Sequence, residues 1–111
     1  MKVLLLEDDI ALSDLLNEHL EDKGYEVTLC TNGQEALEAL IDKKFDIALL
    51  DINTPVITGI EVLKRVRIEY KNNTPIIILT AYQDTKHLKE SFENGVDDYI
   101  KKPFDLEELD Q

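Results

Sequence analysis

The chain has 111 residues, of which 43% are hydrophobic, and its 24 acidic and 12 basic residues give a net charge of −12 at pH 7. This length suits a single domain that buries enough surface to fold without disulfides or a structural metal. The lone cysteine, Cys30, excludes an internal disulfide, and no Cys/His cluster has zinc-ligand spacing. The acidic excess argues against direct nucleic-acid binding, because phosphate binding depends on Lys and Arg. No apolar run approaches the ~20 residues of a membrane span, so we expect a cytoplasmic domain that does not contact a membrane.

Short apolar runs alternate along the chain with segments of helical periodicity. Three continuous runs predict strands buried on both faces of a parallel sheet, and they cover residues 3–6, 47–50 and 76–79. Two shorter, more peripheral strands are predicted near residues 26–30 and 98–100. Because parallel strands need right-handed crossover connections, this alternation predicts an α/β, doubly wound, five-stranded parallel sheet over residues 1–111.

Helix signals fall between the predicted strands. Apolar residues recur at helical spacing in four segments, which run from Leu12 to Leu20, Leu37 to Ile41, Val62 to Tyr70 and Leu88 to Phe92. Asn32 followed by Glu35 predicts a cap for the second helix, and Gly24 and Gly95 mark the ends of the first and fourth. A fifth helix after Asp105 is expected to be truncated at the end of this sequence.

Acidic residues follow two of the predicted strands. Glu7 and Asp8 come directly after the first strand, and Asp51 comes directly after the third. In open parallel sheets, ligands bind beyond the carboxyl ends of the strands, at the point where the strand order reverses. If strands one and three are neighbours there, these three carboxylates converge on one edge of the sheet. Thr80 ends strand four and Lys102 follows strand five, which would add a hydroxyl and an ammonium group to the same edge.

This combination of side chains has a specific chemical use. Carboxylates held close together repel one another unless a cation compensates them, and an all-oxygen set favours a hard ion such as Mg²⁺. The ion can neutralise an incoming phosphoryl group while a carboxylate acts as the nucleophile. The sequence therefore predicts a phosphoryl-transfer site.

Four segments closely resemble the receiver domain of two-component response regulators, and the resemblance covers essentially the whole chain. They read VLLLEDD at residues 3–9, LLDINTPVITG at 49–59, ILTA at 78–81 and GVDDYIKKPF at 95–104. Each is a modest signal alone, but their order and their positions at strand ends are highly specific. The resemblance implies a flavodoxin-like sheet with the strand order 2-1-3-4-5.

The resemblance also implies a metal site and a phospho-acceptor. Asp51 is then the acceptor, which takes the phosphoryl group from a phosphohistidine or a small phosphodonor. Asp8 is the direct Mg²⁺ ligand and Glu7 acts through water. The carboxylate of Asp51 and the backbone carbonyl of Asn53 complete the protein's ligands to Mg²⁺.

Three further residues are assigned roles by the same resemblance. Lys102 contacts the acceptor carboxylate and later a phosphoryl oxygen, as a mobile point charge. Thr80 hydrogen-bonds the phosphoryl group once it forms, and Tyr99 turns inward behind it. This Thr80–Tyr99 movement is the family's switch, which reshapes the surface made by helix four, strand five and helix five.

The function implied is a signalling switch that catalyses its own aspartyl phosphorylation and dephosphorylation and is not an enzyme in the usual sense. Its expected partner is a sensor histidine kinase or a phosphotransfer protein, and activation by homodimerisation is left open because helix five is cut short. The output is also open: the chain is the N-terminal piece of a transcription regulator, a stand-alone receiver or part of a hybrid kinase.

Some positions depart from the usual family pattern. Thr54 and Thr58 stand where the family commonly has Met and Asp, and we expect them to change loop packing and to leave the chemistry intact. Asn53 and Tyr82 occupy positions at which the family tunes dephosphorylation, so we expect them to affect the lifetime of the phosphate. Asp9 is interpreted as a helix-start residue.

Rival functions and other conspicuous residues are less well supported. A haloacid dehalogenase-type phosphohydrolase usually has a second acidic residue two positions after its nucleophile, where this chain has Asn53. A nucleotide or flavin module is disfavoured by the acidic, glycine-free loop after strand one. The intact acceptor, metal and lysine positions argue against a receiver-like domain that works without phosphorylation. Cys30 is interpreted as a small apolar residue at a strand end, and His19 and His87 are interpreted as surface or boundary residues.

Overall fold

The computed structural model describes residues 1–52, 54, 56–81 and 98–102, and strands alternate with helices as the sequence predicts. The elements are β1 (Lys2–Leu6), α1 (Ile10–Asp22), β2 (Glu26–Cys30), α2 (Gly33–Asp42), β3 (Ile47–Asp51), α3 (Gly59–Ile68), β4 (Ile76–Ala81) and β5 (Asp98–Lys102). All five strands pair in parallel, in the order β2-β1-β3-β4-β5. The predicted α/β doubly wound sheet and its strand order are confirmed. The helices predicted around Leu88 and after Asp105 lie outside the described residues.

The central strands are buried on both faces of the sheet, which explains why their sequences are continuous apolar runs. On one face, β1, β3 and β4 pack against α2 and α3, with Leu4, Leu50 and Ile78 in this core. On the other face, Leu5 and Leu49 pack with Leu16 and Leu20 of α1. Alternate residues of a strand point to opposite faces, so each central strand contributes to both cores.

Of the predicted helix ends, two are confirmed, one is wrong, and the one at Gly95 lies outside the described residues. The side chain of Asn32 accepts a hydrogen bond from the Glu35 N–H at 3.0 Å and caps α2, and Gly24 follows α1 with φ of +88°. The third helix was predicted to reach Tyr70, but α3 ends at Ile68. The N–H groups of Glu69 and Tyr70 both bond to the carbonyl of Arg65, so the chain turns there and ends the helix.

In the part of the chain that the structure describes, no helix has both the length and the apolar character that crossing a membrane requires.

Candidate functional site

Three carboxylates meet at the carboxyl ends of the strands because of the register between β1 and β3. Leu6 of β1 pairs with Leu50 of β3, so Glu7 and Asp51 follow at the same level on neighbouring strands. Ligand oxygens of Glu7, Asp8 and Asp51 all lie within 4.8 Å of one another. The structure therefore brings together the three acidic residues that strand ends and strand order predicted to converge. We call these three residues the acidic cluster, and the end of the sheet that holds them the carboxyl edge.

The acidic cluster combines two buried carboxylates with one exposed carboxylate. Glu7 is 1% exposed and Asp51 is 8% exposed, whereas Asp8 lies at the surface. The Glu7 carboxylate accepts a hydrogen bond from the Asp9 N–H at 3.1 Å, which fixes its position. Burying carboxylates of like charge is costly, and a divalent cation removes that cost. An all-oxygen donor set with one member open to solvent fits a hard cation such as Mg²⁺.

Asp9 does not belong to this set. Its side chain caps α1 and accepts a hydrogen bond from the Leu12 N–H at 3.2 Å. The interpretation of Asp9 as a helix-start residue agrees with this geometry.

The segment after Asp51, residues 52–58, is called the acceptor loop below, after the role that the resemblance implies for Asp51. At its end the Gly59 N–H donates to the Ile52 carbonyl at 2.8 Å, and this bond closes the loop. A Cβ atom on Gly59 would lie 2.8 Å from the carbonyl carbon of Asp51 and still closer to its oxygen, which no real side chain tolerates. Gly59 does not have a positive φ, so its place against Asp51, and not its backbone conformation, requires a residue without Cβ.

The two threonines that depart from the family pattern both have structural contacts in this loop. Thr54 is buried, and its hydroxyl donates to the Ile57 carbonyl at 2.9 Å. Thr58 caps α3, and its hydroxyl accepts a hydrogen bond from the Glu61 N–H at 3.2 Å. Both contacts lie within the loop and its helix, which agrees with the expected effect on loop packing.

The backbone register also brings other predicted residues to the carboxyl edge. Asp51 pairs with Leu79, so Thr80 stands one residue further along β4, and Lys102 pairs with Ala81 at the end of β5. Tyr99 pairs with Ile78, deeper in the sheet. These are backbone positions only, and the roles of Thr80, Lys102 and Tyr99 remain predictions. Asn53 and Tyr82 lie outside the described residues.

Two features of the site had not been predicted. Val56 in the acceptor loop has φ of +70°, in the left-handed region that β-branched residues strongly avoid. Gly33, the first residue of α2, packs its backbone directly on the carbonyl of Ile57. Glycine at the first helical position after the Asn32 cap gave no signal for Gly33, because the cost of glycine applies to helix interiors. The identity of Val56 argues against a positive φ, so the sequence carried no signal for it.

The polar side chains next to the turn between β2 and α2 form hydrogen bonds with their near neighbours in the sequence. The Glu35 carboxylate accepts hydrogen bonds from the N–H and hydroxyl of Thr31 at 3.1 and 2.8 Å, and these bonds lower the pKa of Glu35. Burial, and secondarily the charge of Glu35, raises the pKa of the Cys30 thiol to about 11. Cys30 is therefore a protonated, buried thiol, as expected for a structural residue.

These observations describe a doubly wound sheet with an acidic cluster at its switch point. The family model of the response regulator receiver domain matches residues 3–111, and the chain belongs to this family.

Individual relatives agree with this assignment. The chain is 46% identical over 109 residues to the transcriptional regulatory protein CrdR of Helicobacter pylori, a match that covers 98% of this chain and 51% of CrdR. The solved receiver domain of the Francisella response regulator 1452 superposes with a TM-score of 0.90 at 35% identity, over 97% of this chain and 88% of that one. The receiver domain of the sensor histidine kinase PA1611 of Pseudomonas aeruginosa was solved with a magnesium ion in its active-site cleft. It superposes with a TM-score of 0.87 at 29% identity, over 98% of this chain and 90% of that one.

The chain thus spans about half the length of the curated relative CrdR and nearly the whole length of two solved receiver domains. What it shares with all three is the receiver unit.

Proposed function

We propose that residues 1–111 form one receiver domain that acts as a phosphorylation-activated switch of a two-component system, with Asp51 as the phospho-acceptor. The observation that carries this proposal is the acidic cluster: three carboxylates within 4.8 Å at the switch point of the sheet, two of them buried. A fold does not keep such a cluster for stability, because like charges at this distance repel. The position of Asp51 at the end of β3 makes it the member anchored in the sheet.

Glu7, Asp8 and Asp51 would hold Mg²⁺, and the backbone carbonyl of Asn53 is proposed as a further ligand. When bound, the ion neutralises the carboxylates and the oxygens of an incoming phosphoryl group. The magnesium ion in the active-site cleft of the PA1611 receiver domain supports this choice of metal. Asp8 is the exposed member of the acidic cluster, so its carboxylate would be the ligand that is open to solvent.

The transfer itself needs a fixed nucleophile. A carboxylate oxygen of Asp51 attacks the phosphorus of the donor, the bond from phosphorus to the donor's nitrogen or oxygen breaks, and its electron pair leaves with the donor group. The Asp51 backbone is held on one side by its pairing with Leu79 and on the other by the contact with Gly59. Dephosphorylation is attack of water on the same phosphorus, which releases phosphate and restores the carboxylate.

The remaining roles follow the family pattern. Lys102 would contact the acceptor carboxylate and then a phosphoryl oxygen. Thr80 would donate to the phosphoryl group, and Tyr99 would turn inward behind it. The backbone supports these roles by placing Thr80 and Lys102 at the carboxyl ends of adjacent strands. Together they would couple phosphorylation to a changed surface at β5 and the segments that flank it.

The phosphodonor is proposed to be a sensor histidine kinase or a phosphotransfer protein in the cytoplasm. The similarity to CrdR favours an output in transcription. The similarity to the PA1611 receiver domain favours a second candidate, a receiver within a hybrid sensor kinase. Activation by homodimerisation is compatible with either.

Labelling with acetyl phosphate tests the acceptor. Incubation with this donor and Mg²⁺ is expected to add one phosphate, and Asp51→Asn is expected to abolish the addition, because an amide is not a nucleophile for phosphorus. Intact-mass spectrometry measures both. The matched control is Asp46→Asn, which removes an exposed carboxylate beyond the opposite ends of the strands and should leave labelling at the wild-type level. Equal labelling of Asp51→Asn and wild type would refute the acceptor assignment.

The same assay tests the metal. EDTA or Asp8→Ala is expected to slow labelling by about 100-fold, because even indirect changes at metal sites cost about 10- to 100-fold in affinity or activity. Asp9→Asn is the control: it removes a neighbouring negative charge, keeps a capping side chain on α1 and should change the rate little. Labelling that proceeds at an unchanged rate in EDTA would contradict a role for Mg²⁺.

A further inference from the structure

Helix α2 meets the acceptor loop in a contact between two stretches of backbone. A Cβ atom on Gly33 would lie 2.6 Å from the carbonyl carbon of Ile57 and 2.9 Å from its Cβ, and its shortest distance would be to the carbonyl oxygen. Real Cβ atoms essentially never come closer than 3.0 Å to such neighbours. Because both partners are backbone, neither can yield by changing a rotamer. Only a glycine fits at position 33 while Ile57 keeps its place.

The carbonyl of Ile57 is connected to the acceptor by a short series of contacts. It accepts a hydrogen bond from the buried Thr54 hydroxyl at 2.9 Å, within the acceptor loop. The loop is closed by the bond from the Gly59 N–H to the Ile52 carbonyl at 2.8 Å, and Gly59 packs on the carbonyl of Asp51. Thr54 and Gly59 therefore connect Ile57 to Asp51: Thr54 is buried and bonded to the Ile57 carbonyl, and Gly59 lies against the Asp51 carbonyl.

The backbone beside this contact is strained. Val56, next to Ile57, is held at φ of +70°, a conformation that β-branched residues strongly avoid. Strained backbone of this kind persists where the surrounding structure holds it in place, and it is concentrated at functional sites.

We propose that Gly33 is a positioning residue for the phosphorylation site: through its backbone contact with Ile57, α2 sets the position of the acceptor loop and so the Mg²⁺ affinity of the acidic cluster. Gly33 touches none of the three carboxylates and acts through the loop alone. The inference rests on the proposed function, because the property that it assigns to Gly33 is control of Mg²⁺ binding.

The test compares two glycine-to-alanine variants of the full chain by isothermal titration calorimetry with MgCl₂, without a phosphodonor. Gly33→Ala is expected to raise the Mg²⁺ dissociation constant by about tenfold, in the range found for groups that orient metal ligands. Gly24→Ala is the matched control: it strains a backbone with φ of +88°, but a Cβ atom there meets nothing within 4 Å, and the residue lies between α1 and β2, at the other end of the strands. Its dissociation constant should equal that of the wild type. Urea unfolding of the wild type and of each variant identifies the conditions under which all three proteins are folded during the titration.

The outcomes separate this inference from the function on which it rests. Wild-type protein that binds no Mg²⁺ would overturn the proposed function, and the inference with it. Wild type and Gly33→Ala that bind Mg²⁺ equally well would overturn the inference alone, as would equal weakening in Gly33→Ala and Gly24→Ala. If Gly33→Ala does not fold, Thr54→Val decides the matter, since it removes the hydrogen bond to the same carbonyl without adding an overlap. It is expected to weaken Mg²⁺ binding by about threefold, and unchanged affinity would overturn the proposal.

Discussion

The two ends of the sheet differ in the arrangement and the burial of their charged residues. At the amino ends of the strands, which we call the amino edge, acidic and basic residues alternate and are solvated: the Lys2 ammonium lies 3.9 Å from the Glu26 carboxylate, and both side chains are largely exposed. The Lys2 N–H also donates to the exposed Asp46 carboxylate at 2.6 Å. At the carboxyl edge the three neighbouring charges have the same sign, and two of them are buried.

The backbone shows the same contrast. At the amino edge two of the described residues have positive φ: Gly24, in open space, which is the residue type that this conformation favours, and Lys71, with φ of +49°. At the carboxyl edge a φ of +70° belongs to Val56, a β-branched residue that avoids it more strongly than an unbranched one. The carboxyl edge departs from the ordinary rules of stability twice, with buried like charges and with a β-branched residue at positive φ. Such departures are expected where a site is built for a ligand, since the ligand supplies what the free protein lacks.

The largest expected effect is on the acidic cluster. Without metal, Asp51→Asn should raise the free energy of unfolding by about 1–2 kcal/mol, because the repulsion that it removes from three clustered carboxylates exceeds the attraction that it loses, including the contact proposed with Lys102. Added Mg²⁺ should stabilise the wild type by linkage and leave Asp51→Asn nearly unchanged. Urea unfolding in EDTA and in MgCl₂ measures both effects.

The amino edge provides the control for this experiment. Glu26→Gln removes an exposed carboxylate that pairs only with a solvated lysine, and it should change stability by less than about 0.5 kcal/mol in either buffer. The contrast between the edges fails if both substitutions have the same small effect, or if Asp51→Asn destabilises the protein in EDTA.

The sequence alone predicted those features of the carboxyl edge that depend on local patterns of residues. A run such as residues 3–6 is apolar at every position because both faces of a central strand are buried, so its end, and with it Glu7, can be placed from composition alone. The strand order then brings Glu7 to Asp51. The family resemblance supplied that order and the role of Asp51, and periodicity alone would have left both open.

Other features could not be predicted because they depend on contacts between distant segments. Gly33 and Ile57 are 24 positions apart, and their backbone contact exists only once α2 and the acceptor loop pack on the same face of the sheet. The end of α3 was also mispredicted, by two residues. Tyr70 continues the helical spacing of the apolar residues, although the backbone has already left the helix there. Apolar periodicity records which residues face the core and does not record where the backbone leaves the helix.

The backbone contrast between the edges is sharpened by Val56→Asn, which should raise the free energy of unfolding by about 1 kcal/mol because asparagine tolerates the left-handed region. Val56 is 78% exposed, so the substitution sacrifices little apolar burial. Urea unfolding in EDTA measures the gain without any contribution from metal. The control is Ile68→Asn, the loss of an apolar side chain of similar exposure from a helical backbone, which should be neutral or slightly destabilising. If both variants gain equally, removal of exposed apolar surface explains the effect. A gain confined to Val56→Asn shows that the acceptor loop holds its backbone at a cost in stability.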